Sequence, residues 1–193
     1  MKDRSMKTTK INVEKAVKFH GHFCPGLAFG IIASEIALDY FEAERAEDEE
    51  IVAVVENDSC MVDAIQSLTG CTFGKGNFIF KDYGKMAVSF YSRKRKKAIR
   101  IALKPGARAL LGTKYKTERA RGILGLGPSI FNVREIRYKE LPMAERRPSI
   151  ICYGCGEEVM GTRIKNYRKK KLCIPCYLKV VKPSKRKVNI KAR

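Results

Sequence analysis

Histidine is almost absent from this chain: His20 and His22 are the only two in 193 residues. Long apolar runs are missing as well. The longest, Leu27 to Leu38, is interrupted by Gly30, Ser34 and Glu35. It falls short of the ~20 apolar residues that span a bilayer, so no membrane partner is expected. The N-terminal stretch MKDRSMKTTK lacks the apolar core of a secretory signal, and a cytoplasmic protein is expected. No internal repeat is visible. A complete phosphate-loop pattern is also lacking, although Gly74-Lys75-Gly76 offers backbone N–H groups to an anion.

Acidic residues are in deficit, 20 against 40 Lys and Arg, for a net charge of +20. The imbalance is uneven: residues 146–193 hold 15 basic residues against 2 acidic ones. Such a segment attracts polyanions by counterion release, but charge also serves solubility. Nucleic acid is therefore a partner that charge permits without favouring.

Cysteine, by contrast, is well represented, and its odd count of seven argues against a disulfide framework. Four cysteines form two matched pairs, Cys152-x2-Cys155 and Cys173-x2-Cys176, separated by seventeen residues. Two residues between thiolates let one tight turn present both sulfurs to one ion, and the gap accommodates a small hairpin that returns the second pair. This is the spacing of a closed, structural zinc site.

The remaining three cysteines lie with both histidines between His20 and Cys71. His20, His22 and Cys24 fall within five residues, and both residue types serve as transition-metal ligands and as nucleophile–base partners. Pro25 suits the first position of a helix over residues 25–41, which places Cys24 at its N-cap. A helix N-terminus favours the thiolate. The same holds for Cys60, in the first turn of a helix expected from Ser59 to Leu68, with Asp58 as cap and Gly70 as stop. Asp63 shares a face with Cys60 and is placed to orient a histidine or support a metal ligand. For Cys71 the alternative is a small buried apolar residue. Lys75 beside a thiolate would stabilise it.

Further elements follow from pattern. Residues 11–19 read as a helix capped by Asn12. Ile51–Val55 reads as a buried strand, and residues 77–83, 85–91 and 97–103 as successive strands joined by turns at Gly84 and residues 92–96. Helices are expected over 105–115 and 128–138. The fold class is α+β, with helices on a mainly antiparallel sheet and a small C-terminal zinc-finger domain. The divisions are a core at 1–140, a linker at 141–149, a finger at 150–180 and a basic tail at 181–193.

Three segments resemble the signature of the FmdE family, named for the E component of formylmethanofuran dehydrogenase. They are Phe19-His-Gly-His-Phe-Cys-Pro-Gly-Leu-Ala-Phe-Gly30, Glu56-Asn-Asp-Ser-Cys-Met-Val-Asp-Ala-Ile-Gln66 and Thr69-Gly-Cys-Thr-Phe-Gly-Lys-Gly-Asn77. The similarity covers roughly residues 10–140. The four-cysteine module is similar to the treble-clef-like finger that some members carry. The resemblance implies a homodimer and association with a molybdenum or tungsten enzyme of one-carbon metabolism in methanogenic archaea. It implies site roles for His20, His22, Cys24, Cys60, Asp63, Cys71, Thr72 and Lys75. Among these, Cys24, Cys60, Asp63, His20 and Lys75 are the catalytic candidates, and Cys71 and Thr72 the cofactor contacts. His20, His22 and Cys60 are the expected ligands should the core hold a second zinc or other transition metal. An oxidoreductase or a non-catalytic accessory subunit both fit.

Overall fold

A computed structural model describes residues 2–109, 112, 115–145 and 147–181, with side chains from residue 10 onward. The chain divides into two compact units, Met1–Ala144 and Glu145–Arg193.

In the larger unit, helix α1 spans Lys2–His20 and α2 spans Pro25–Tyr40. Strand β1 is Ile51–Val55, α3 is Met61–Thr69, β2 is Phe78–Phe80, β3 is Ala87–Ser92 and β4 is Lys97–Leu103. Helix α4 is Lys116–Leu126, and β5 is Phe131–Ile136 after a short 3-10 turn. The five strands form one sheet in the order β2-β1-β3-β4-β5, parallel only between β1 and β2. Helices and a mainly antiparallel sheet make the α+β class that the sequence predicts.

The unbroken apolar run of β1 reflects burial on both faces. Ile51, Ala53 and Val55 join Phe90 and Ile99 in the cluster that packs on α2 and α3. Val52 and Val54 pack with Tyr91 and Ala98 on the opposite face, covered by Tyr138 and Leu141. Helix α2 is central: Phe29 and Ile32 face the sheet, while Leu27 and Ile31 meet Ala16 of α1 and Ala64 of α3. Its glycines set how closely α3 approaches. A Cβ on Gly30 would fall 2.2 Å from the Met61 carbonyl oxygen, and one on Gly26 would fall 3.0 Å from the Cys60 Cβ. Small residues one turn apart thus bring the N-terminal ends of α2 and α3 together.

Several expectations are corrected. Helix α1 begins before residue 11, and Asn12 lies inside it, donating to Glu35 at 2.9 Å rather than capping. Asp58 does not cap α3; Asn57 turns the chain there, its Oδ1 accepting from the Ser59 amide and hydroxyl. Residues 105–109 are turns and the helix starts only at Lys116, while 110–111 and 113–114 lie outside the described residues. The segment expected as a helix over 128–138 is mostly β5, because the exposed edge of β4 supplies backbone partners from Phe131 to Ile136. Gly84 does not close a hairpin, since β2 and β3 lie on opposite sides of β1.

In the smaller unit, β6 (Ser149–Ile151) pairs with β7 (Glu158–Met160), and β8 (Lys165–Tyr167) pairs with β9 (Lys170–Leu172). Helix α5, Ile174–Val181, follows. Among the described residues of this unit, the buried core is Cys152, Leu172 and Cys173, with Val159, Tyr167 and Tyr177 alongside. A core this small does not hold a fold without a further constraint.

Candidate functional site

The first candidate grouping is built by a chain reversal. Helix α1 ends at His20, and Gly21 adopts φ +96°, a left-handed conformation that suits glycine. The chain returns within four residues to Cys24, the N-cap of α2, whose sulfur accepts from the Leu27 amide at 3.5 Å. Proline at the first position of α2 fits its rigid φ and missing donor.

His20 is the hub. Its side chain is only 12% exposed, and Nδ1 lies 2.7 Å from Oδ2 of Asp63 in the first turn of α3. With the carboxylate ionised, Nδ1 carries the donated proton and the Nε2 lone pair is left free. Nε2 faces the Cys24 sulfur at 3.8 Å. The His22 ring stands 4.5 Å from that of His20, centroid to centroid. One donor atom each from His20, His22 and Cys24 lies within 4.8 Å of the others.

That geometry fits a shared ion. Sulfur at about 2.3 Å and nitrogen at about 2.1 Å from a tetrahedral zinc are separated by roughly 3.6 Å. Cys60 flanks this group at the start of α3, packed against the Cys24 cluster. Burial, followed by the neighbouring Cys24 thiol, pushes the Cys60 thiol up from its ordinary value. Cys60 is not among the three donors that converge, although the sequence predicts it as a ligand.

Cys71, Thr72 and Lys75 lie elsewhere, past the C-terminal end of α3. A helix of nine residues separates the two ends by roughly 14 Å. Cys71 is fully buried, donates to the Ile51 carbonyl at 3.3 Å, and is pushed up to about 11 by burial. Lys75 donates to the carbonyls of Ala46, Glu47 and Asp48 at 3.2, 3.0 and 3.1 Å. The Thr72 amide donates to Asn77 Oδ1 at 2.9 Å. Asn77, which the pattern marked only as a strand start, is wholly buried and donates to Asp48, Ile51 and Gly70 carbonyls. Lys75 and Asn77 thus tie residues 46–48 to the segment that follows α3.

The second grouping is the four-cysteine cluster: Cys152, Cys155, Cys173 and Cys176 all place their sulfurs within 4.8 Å of one another. Cys155 and Cys173 sulfurs are 3.9 Å apart. Two sulfurs on one tetrahedral zinc are separated by about 3.8 Å, whereas a disulfide would bring them to about 2.0 Å. The Cys152 sulfur accepts from the Gly154 and Cys173 amides at 3.3 and 3.2 Å. Those amides, the Cys173 one foremost, draw its thiol down to about 6. Cys176 sits in the first turn of α5, where its amide donates to the Cys173 sulfur at 3.4 Å.

Residues 19–124 match the family described as FmdE, molybdenum formylmethanofuran dehydrogenase operon. That range contains His20, His22, Cys24, Cys60, Asp63, Cys71 and Lys75, and leaves out the C-terminal unit. A curated relative from Archaeoglobus fulgidus, named "Probable S-adenosyl-L-methionine-binding protein", is 30% identical over 191 residues. The match covers 84% of this chain, which spans about half (51%) of that relative's length. A solved structure of a tungsten formylmethanofuran dehydrogenase FmdE-like protein from Syntrophus aciditrophicus is 27% identical. It superposes with a TM-score of 0.66 over 88% of this chain and 91% of that one.

Proposed function

Given that this chain belongs to the FmdE family, we propose that its core grouping is a transition-metal site that acts on a carbonyl or formyl group, in one-carbon or molybdopterin-linked redox metabolism. The observation that carries the reading is the relay Asp63–His20–Cys24, with 2.7 Å on one side of the imidazole and 3.8 Å on the other. His20 Nε2, His22 and the Cys24 sulfur would hold the ion. Three protein donors leave a coordination position open, and the ion would supply Lewis acidity there.

The chain's own residues have defined parts. Asp63 fixes the His20 tautomer. The Leu27 amide donates to the Cys24 sulfur and fixes its position at the start of α2. His22 is exposed and forms the solvent side of the site. Cys60, whose thiol burial pushes up from its ordinary value, lies beside Cys24.

A second reading rests on the same distances. Cys24, His20 and Asp63 are ordered as nucleophile, base and orienting carboxylate, which would permit thiol chemistry without metal. Metal content separates the two. By family membership the chain is expected to work beside a molybdenum or tungsten enzyme, as catalytic partner or as accessory subunit, and as a homodimer in the cytoplasm. The Archaeoglobus relative's name adds a sulfonium methyl donor as a small molecule to test by calorimetry.

Metal analysis of the purified full chain tests the proposal. Two ions per chain are expected, falling to one in a His20→Ala/Cys24→Ala variant. One ion per chain, lost on Cys173→Ser, would leave the core empty and sink the metal reading.

A further inference from the structure

The C-terminal unit carries a feature that a structural zinc site does not require. Residues 163–171 hold six basic residues, Arg163, Lys165 and the run Arg168-Lys-Lys-Lys171, with no acidic residue among them. All six are exposed. None is matched by a carboxylate among the described residues.

The hairpin between β8 and β9 is closed by two residues, because Tyr167 pairs directly with Lys170. Those two are Arg168 at φ +46° and Lys169 at φ +62°. Positive φ at both central positions is the tight hairpin turn for which Asn-Gly is the favoured pair. Branch-free but full-sized side chains are strained there. The tip thus keeps two cations where the backbone would be more stable without them, and a local rule broken at a surface points to use of that surface.

Aromatic rings are set among the charges. Tyr153, 67% exposed, lies under the Lys170 ammonium at 4.0 Å, and the Arg168 guanidinium is 5.3 Å from the Tyr167 ring. The Tyr153 amide is tied to the Lys171 carbonyl at 2.9 Å, which fixes the ring beside the basic strand. Closely spaced cations that track a backbone, with an exposed ring that a base can stack on, form the surface that recognises single strands.

We propose that the β8–β9 hairpin and Tyr153 form a binding site for single-stranded nucleic acid. Lys and Arg at the tip contact phosphates, and the free face of Tyr153 stacks on an unpaired base. An acidic protein surface would match the charge and leave the ring without a role. A duplex would match the charge too, but its stacked bases offer the ring nothing.

The test is fluorescence anisotropy of a labelled oligouridylate of roughly 20 nucleotides, longer than a small module's footprint. The full chain is titrated between about 50 and 200 mM salt, where phosphate contacts show their dependence. Saturable binding that weakens with salt is expected. Arg168→Asn/Lys169→Gly is expected to weaken binding on the order of tenfold and to flatten the salt slope by roughly 1.4, at about 0.7 per phosphate contact. The same variant relieves the turn, so zinc release from the unit is expected at a higher temperature. Tyr153→Ala is expected to weaken binding at least fivefold with the slope unchanged, in line with ~1 kcal/mol or more per stacked base. Any of four results overturns the proposal: no binding at the lowest salt, equal displacement by polyglutamate, preference for duplex of the same length, or unaltered binding by the double variant.

Discussion

Asp63 Oδ2 lies 2.7 Å from His20 Nδ1, joining the last residue of α1 to the first turn of α3 across 43 positions of sequence. That bond decides which nitrogen of His20 is free, and so what the imidazole can do toward Cys24. Replacing Asp63 by Asn keeps the shape and removes the charge that holds the tautomer. Metal affinity is expected to fall roughly 10–100-fold, as for other partners of ligating histidines. Competition against a chromophoric chelator measures it, and unchanged affinity would remove Asp63 from the site.

Gly30 makes the site possible at a distance. With a Met61 carbonyl oxygen 2.2 Å from where its Cβ would stand, Gly30→Ala must push α3 away from α2. A loss of about 3 kcal/mol is expected, at the upper end of overpacking effects. In a protein of this size that lowers the melting temperature by roughly 10 °C. Calorimetry reads the shift, and an unaltered midpoint would show that the helices give way freely.

On the outer face of the sheet Arg100 makes a two-fold contact with Glu56, one arm at 2.9 Å. The guanidinium holds the Glu56 carboxyl below its ordinary value, against the opposing effect of burial. Its contribution to stability is therefore full above about pH 4.3, the unfolded value, and is lost as pH falls through the lower folded value. Glu56→Gln is expected to remove about 3 kcal/mol at neutral pH by leaving Arg100 unpaired. It is also expected to flatten the acid limb of a pH-dependent urea series. A variant with the wild-type acid limb would show that the pair contributes nothing there.

If the four cysteines hold an ion, metal removal by a strong chelator is expected to unfold residues 149–181 alone. Only three side chains are buried there, so an ion on the four cysteines would supply the missing constraint. Amide resonances of that stretch are expected to collapse toward random-coil positions while those of β1 and β3 stay dispersed. Dispersed finger resonances after complete metal loss would contradict this.

Elements with a local signature were readable from the residues. Ile51–Val55 has one composition that fits a strand buried on both faces, and Cys24-Pro25 marks a helix start in two residues. The 131–136 segment was not readable, because apolar residues at 131, 133 and 136 suit a helix face and a strand alike. The open edge of β4 decided between them. The parallel pairing of β2 with β1 depends equally on what the chain does between them.

The site divides in the same way. His20, His22 and Cys24 are neighbours in sequence, and their convergence needed only the turn at Gly21. The bond from His20 to Asp63 has no local pattern to announce it. Motif membership likewise gave no sign that Lys75 would be bound by three carbonyls beyond the far end of α3.

The central claim is that the core grouping holds a metal of its own, in addition to that of the four cysteines. A crystal structure with anomalous data, collected at the edge identified by an X-ray fluorescence scan, tests it most directly. Two anomalous peaks per chain are predicted. One lies about 2.1 Å from His20 Nε2 and about 2.3 Å from the Cys24 sulfur, and the other lies among Cys152, Cys155, Cys173 and Cys176. A single peak, at the four cysteines, from protein purified without chelator and with metal in excess, would contradict the account.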